Sequence, residues 1–198
     1  MVGESERSGS ILSEDRLKGF LKRSMHSWTC FEWEVTAADL GVPTPSPLVI
    51  RAAERDEEET VAKVVRNAFS MDSAWGDLSR RLDEGIGTFV EEAFEKSHAT
   101  PTCVVALHGP RIIGASVMQA NPESANHLVS GPMILHEYRN RGLGTALLAA
   151  SLDFLRGKGL SKVRGVTRAN STAARFIYTK FAGQPIPYTL DPLLTVAR

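Results

Sequence analysis

Seven residues, Arg139-Asn140-Arg141-Gly142-Leu143-Gly144-Thr145, constrain this chain more than any other stretch. An apolar strand-like run, His127–Leu135, precedes them. A helix-forming run from Gly142 to Gly157 follows, with Leu143, Leu147, Ala150 and Phe154 on one face. A strand that turns into a helix through two glycines points several backbone N–H groups at one place. The helix dipole favours negative charge there. Glycine leaves no Cβ in the way of a ligand, and Arg139 and Arg141 add positive charge. The natural guest is a phosphate or pyrophosphate. A Walker loop would need Gly-Lys-Ser/Thr, and a dinucleotide fingerprint would need a third glycine where Leu147 stands.

The rest of the chain predicts a layered α+β sandwich. A strand at Leu48–Ala52 leads to a helix capped by Asp56, with Glu59 three residues on. Its apolar stripe is Val61, Val64, Val65, Ala68 and Phe69. More helix follows in two pieces, Trp75–Leu82 and Ile86–Phe94. The strands Thr102–Leu107 and Arg111–Gln119 flank the turn His108-Gly109-Pro110, and Asn121–Ser124 forms a loop. After the glycine turn and its helix come a strand (Lys162–Thr167), a helix (Ser171–Phe181) and one or two strands over Ile186–Val196. Mixed order of this kind excludes all-helical and all-β folds.

Upstream, residues 1–10 are expected to be disordered. A short helix capped by Ser13 carries Leu17, Phe20, Leu21 and Met25 on one face. Thr29, Phe31, Trp33 and Val35 then alternate with Cys30, Glu32 and Glu34 as a strand. The Pro- and Ser-rich Gly41–Pro47 reads as a linker. It divides an N-terminal extension, 1–47, from a main domain, 48–198.

Lys plus Arg and Asp plus Glu both total 23, so the formal net charge is zero. That balance gives no support to nucleic-acid binding. No apolar run approaches the roughly 20 residues that cross a bilayer, and no signal peptide is read at the N-terminus. Cys30 and Cys103 fit neither a disulfide framework nor a zinc site, so the expectation is a cytoplasmic protein without metal or membrane partner.

Beyond the next strand stands Asn170-Ser-Thr-Ala-Ala174-Arg-Phe-Ile-Tyr178-Thr-Lys180-Phe-Ala-Gly183. The order strand, glycine turn, helix, strand, Asn, helix, Tyr resembles the C-terminal half of the GNAT acetyltransferases. Their pyrophosphate motif, Arg/Gln-x-x-Gly-x-Gly/Ala, is met by Arg139, Gly142 and Gly144. The turn before it, Ile134-Leu-His-Glu-Tyr-Arg139, also looks like the family's. Three departures stand out: His136 where the family commonly has Pro, Asn170 and Tyr178 eight residues apart instead of about seven, and Ala182-Gly183-Gln184 after the helix.

The resemblance implies a mixed central sheet with splayed strands flanked by helices, and acetyl-CoA as acyl donor to a primary amine. The amine would be carried by a small molecule, peptide or protein, and a homodimer is compatible with this reading. It implies that the backbone of Met133, Ile134 and Leu135 receives pantetheine. The turn Arg139, Asn140, Arg141, Gly142, Leu143, Gly144 and Thr145 would receive pyrophosphate, and Asn170 either binds the cofactor or caps its helix. Tyr178 is the implied general acid, since a phenol stays protonated at neutral pH. No glutamate lies on His127–Leu135, so the general base stays open among Glu123, His127, Glu137 and water. That gap keeps alive a second reading, a non-catalytic acyl-CoA-binding module. A third is a generic nucleotide-binding protein. By the same resemblance, the acceptor is chosen by the helices between Phe69 and Phe94, the Asn121–Ser124 loop and the C-terminal strands.

Overall fold

The computed structural model describes residues 28–97 and 99–188. The expected Ser13 helix and anything beyond Tyr188 lie outside the described residues. The elements are β1 (Trp28–Glu34), β2 (Leu48–Ala52), α1 (Glu58–Ser70), α2 (Ser79–Ala93), β3 (Cys103–His108), β4 (Arg111–Val117), β5 (Met133–Ile134), α3 (Leu143–Gly157), β6 (Lys162–Arg168) and β7 (Gln184–Ile186). Two antiparallel sheets form, in the orders β2-β3-β4-β5 and β6-β1-β7. The fold is α+β with helices against sheets, as expected. Among the described residues every strand pairing is antiparallel, and β5 and β6 share none, so the splay lies between the two sheets.

Alternation along β3, with a bulge in β4 that carries Ile113 to the face opposite Ala115, explains how one sheet carries two cores. Side chains of successive residues point to opposite faces. Cys103, Val105, Leu107 and Ala115 pack with α1 and α2, through Val61, Val65, Ile86 and Val90. Val104, Ala106 and Ile113 pack with α3, through Leu147, Leu148, Leu152 and Leu155. Both faces are covered, so the strands read as unbroken apolar runs.

Local chemistry shifts several element ends. The turn into α1 is closed by Glu57, not by Asp56. The Glu57 carboxylate accepts the Glu54 N–H at 2.8 Å and both terminal nitrogens of Arg51 at 2.9 and 2.7 Å. The two pieces expected across 75–94 are a 3-10 turn, Ser73–Leu78, running into the single helix α2. The strand expected over His127–Leu135 shrinks to Met133–Ile134. The helix expected over Ser171–Phe181 is one π turn, Ala173–Ile177.

The largest departure concerns the N-terminal piece. Strand β1 sits between β6 and β7, pairing Trp28–Glu34 with Lys162–Arg168 on one side and Cys30–Glu32 with Gln184–Ile186 on the other. The boundary drawn at residue 47 therefore cuts through one folded unit. Trp33 is fully buried, donates its indole N–H to the Lys180 carbonyl at 3.0 Å and meets the Tyr178 ring edge-on at 5.2 Å. A chain beginning at residue 48 is expected to lose its cooperative urea transition. Trp33→Ala is expected to cost roughly 3–5 kcal/mol. A truncated chain unfolding at the wild-type midpoint would contradict this placement.

Candidate active site

The site is a wedge between β5 and β6, held open by three side-chain acceptors. Buried N–H groups need partners, and here side chains serve in place of strand carbonyls. Ser130 Oγ accepts the Val117 N–H at 2.9 Å, where the chain peels away from β4. On β6, Asn126 Oδ1 accepts the Val166 N–H at 3.0 Å and His127 Nδ1 accepts the Arg164 N–H at 2.8 Å. With those demands met, β5 has no reason to close onto β6.

A groove of about 420 Å³ follows the wedge. Of the residues singled out in the sequence, Met133, Ile134, Arg139, Asn140, Gly142, Leu143, Gly144 and Thr145 line it. So do Asp72, Trp75, Pro132, His136, Tyr138, Ser171, Thr172 and Phe176, which sequence reasoning missed. Leu135 and Arg141 do not line it. Leu135 is buried with the α1 and α2 core, and Arg141 lies over the Tyr138 ring at 5.7 Å.

The turn gathers amides. Asn140 and Gly142 both take left-handed backbone, with φ of 61° and 77°. Such reversals turn successive N–H groups into an anion-binding concavity. Thr145 and Ala146 both donate to the Gly142 carbonyl at 3.1 Å, so the first orphan amides of α3 are those of Leu143 and Gly144. The two glycines serve different needs. Gly142 supplies the positive φ. At Gly144 a Cβ would come within 2.8 Å of Ile177 Cδ1, so its absence lets the π turn close over the start of α3.

Arg139 departs from its expected role. Its guanidinium turns into the protein, donating to the carbonyls of Ile134 (3.0 Å), Ala68 (2.7 Å) and Met71 (3.4 Å). A cation at the carbonyl end of α1 is favourable, and this clamp ties α1 to the glycine turn. On β5, Leu135 donates to the Ile113 carbonyl at 2.9 Å. Alternation in an antiparallel pair then turns the N–H and C=O of Ile134 away from β4, into the wedge. Arg139 occupies that carbonyl, which leaves the Ile134 N–H facing the groove.

Asn170 is exposed and does not line the groove. The neighbouring Ser171 does the capping, its Oγ accepting the Ala174 N–H at 3.1 Å. The π turn explains the eight-residue spacing, because the Tyr178 N–H reaches back five residues to the Ala173 carbonyl at 2.8 Å. One extra residue is absorbed there. Tyr178 is buried between Phe31 and Trp33. Its hydroxyl lies 2.5 Å from where a Cβ on Gly131 would stand, and neither Tyr178 nor Gly131 lines the groove. Burial pushes its phenol well above the usual range.

None of the base candidates lines the groove. Glu123 is exposed, Glu137 is exposed and paired with Arg111 at 3.1 Å, and His127 is built into the β6 edge. Asp72 does line it, with its Oδ1 accepting the Ala74 N–H at 3.0 Å. Among the described residues, no group of His, Cys, Asp and Glu could hold a metal ion, and no helix is long and apolar enough to cross a membrane.

Residues 63–183 match the acetyltransferase (GNAT) family, and the chain belongs to it. Its fold is that of a GCN5-related N-acetyltransferase from Sphaerobacter thermophilus, with a TM-score of 0.62 at 15% identity over 89% of this chain and 54% of that one. It is similar to an aminoglycoside N-acetyltransferase in complex with CoA, with a TM-score of 0.50 at 16% identity over 77% of this chain and 99% of that one. A Drosophila protein gives 0.51 at 16% identity over 87% and 54%. The chain spans about half the length of the Sphaerobacter and Drosophila proteins. No curated protein matches it.

Burial holds the His127 imidazole below its ordinary value of 6.5, in the neutral form that accepts from Arg164. The unfolded chain therefore takes up this proton first, and stability is expected to fall as pH drops below about 6.5 toward the folded value. Above that pH the group adds no slope. Denaturation curves of wild type and His127→Phe between pH 5 and 8 check this. The variant is expected to lack that acid-side slope.

Proposed function

We propose that this chain is an N-acetyltransferase that moves an acetyl group from acetyl-CoA to a primary amine by direct attack within a ternary complex. One observation carries the reading: the anion-binding amides after Asn140 and Gly142 and the outward Ile134 N–H line the same groove. The first suits a pyrophosphate, and the second suits a thioester carbonyl. Phe176, 58% exposed at the groove, offers an apolar surface that a bound cofactor would cover.

Acetyl-CoA supplies an acyl carbon already activated as a thioester. The Ile134 N–H donates to its oxygen as charge grows there, the kind of preorganised donor that contributes most to acyl transfer. The amine nitrogen forms the new bond to carbon, and the carbon–sulfur bond breaks. Tyr178 is the proposed source of the proton that the departing sulfur takes up. Burial keeps the phenol protonated until the thiolate forms, and the ammonium proton, relayed by water, restores it. The alternative of an acyl-enzyme on sulfur finds no support. Both cysteines are buried, and burial pushes the Cys30 thiol up to about 11.

Gly142→Glu sets a carboxylate against the amide concavity and forces a side chain into left-handed backbone. It is expected to abolish acetyl-CoA binding in calorimetry. Tyr178→Phe keeps the ring between Phe31 and Trp33 while removing the hydroxyl. It is expected to lower kcat by roughly a hundredfold or more with cofactor affinity nearly unchanged. Unaltered turnover would remove Tyr178 from the chemistry. Tight CoA binding with no amine accepted would leave the non-catalytic module.

A further inference from the structure

Asp72 is the one carboxylate that lines the groove among the described residues, and the chemistry proposed above gives it no task. Its loop is held firmly. The Arg139 guanidinium donates to the Met71 carbonyl at 3.4 Å, and the Arg168 guanidinium donates to the Ala74 carbonyl at 2.8 Å. Between them the Asp72 N–H donates to the Phe69 carbonyl at 3.0 Å, and Asp72 Oδ1 accepts the Ala74 N–H at 3.0 Å. A turn closed in this way fixes the direction of its own side chain. Oδ1 therefore serves the fold. Oδ2 has no hydrogen bond and no ion pair among the described residues.

The Arg139 guanidinium also sets this loop against the proposed reaction centre. Its Nε donates to the Ile134 carbonyl at 3.0 Å, while Nη1 reaches Met71, the residue before Asp72. One planar guanidinium thus holds the carbonyls of Met71 and Ile134 together. Asp72 and Ile134 line the same groove. An ionised carboxylate only accepts hydrogen bonds. It repels a pyrophosphate, the group that the amides of the glycine turn suit. An alkyl amine arrives at neutral pH as an ammonium ion, with three donors and a full positive charge. A charge-assisted hydrogen bond to it is stronger than one to a neutral donor. Carboxylates are too weakly basic to take an alkyl ammonium's proton outright. The role that fits is to hold the cation, while water relays the proton as in the reading above.

We infer that Asp72 is the acceptor-binding residue, its Oδ2 holding the acceptor's ammonium group beside the thioester carbonyl that accepts from the Ile134 N–H. This inference rests on the acetyl-transfer reading above. The test uses two acceptors of nearly the same shape: 2-phenylethylamine, a cation at neutral pH, and O-benzylhydroxylamine, neutral there. Thiol release from acetyl-CoA is measured with each. Calorimetry follows CoA binding to the free protein and 2-phenylethylamine binding to the CoA-bound protein. Asp72→Asn removes the charge and keeps the turn, since an amide oxygen still accepts the Ala74 N–H. It is expected to raise KM for 2-phenylethylamine by roughly ten- to a hundredfold. KM for O-benzylhydroxylamine and CoA affinity are expected to stay nearly unchanged. In the wild type, added salt is expected to weaken binding of the cation and not use of the neutral acceptor. That comparison stands whether or not the variant folds. No uptake of 2-phenylethylamine by the CoA-bound protein, or an Asn variant that keeps its KM or loses both acceptors equally, overturns the inference while leaving CoA binding intact. A variant that loses CoA affinity assigns Asp72 to the cofactor and overturns it as well. A wild type that binds no CoA removes both readings.

Discussion

The refusal of β5 and β6 to pair is the interaction on which the site depends. Neighbouring strands in a closed sheet satisfy one another's backbone groups. Here Ser130, Asn126 and His127 do so with side chains, and the two sheets diverge. That divergence exposes the Ile134 N–H and gives the glycine turn a groove to face. Without the three acceptors, unpaired N–H groups on β4 and β6 would favour closing the wedge.

Two clamps hold the wedge in register with the rest of the fold. Arg139 ties the carbonyl end of α1 to β5 and the glycine turn. On the other side, β1 bridges β6 and β7 and carries Trp28 to the groove residue Trp75 and Trp33 to Tyr178. The N-terminal piece is thus part of the site's construction. Its removal would act on chemistry through packing, since a missing central strand exposes both its neighbours.

Much of the frame was legible. The β3–β4 hairpin, α1, α3 and β6 follow from period and turn chemistry, and most of the groove's lower wall follows from Arg139 to Thr145. Three things were not. The side-chain direction of Arg139 depends on where the end of α1 comes to rest, about 70 residues away in sequence. Asp72 and Trp75 belong to no motif and reach the groove only because α1 packs on β4 and β5. The eight-residue gap between Asn170 and Tyr178 looked like a departure. A π turn absorbs it, which no spacing rule predicts. The left-handed backbone at Phe181 and Ala182 likewise gives substance to the altered exit seen in Ala182-Gly183-Gln184.

By itself the sequence determined the glycine turn, because two glycines at the mouth of a helix act through local backbone geometry. It also determined the apolar faces, because periodicity is a local property. Only tertiary structure decided which strand completes the second sheet, where the guanidinium of Arg139 points and that Asp72 and Trp75 reach the groove. Those outcomes are contacts between residues far apart in the chain. Each is set by which surfaces meet when both faces of one sheet are buried at once.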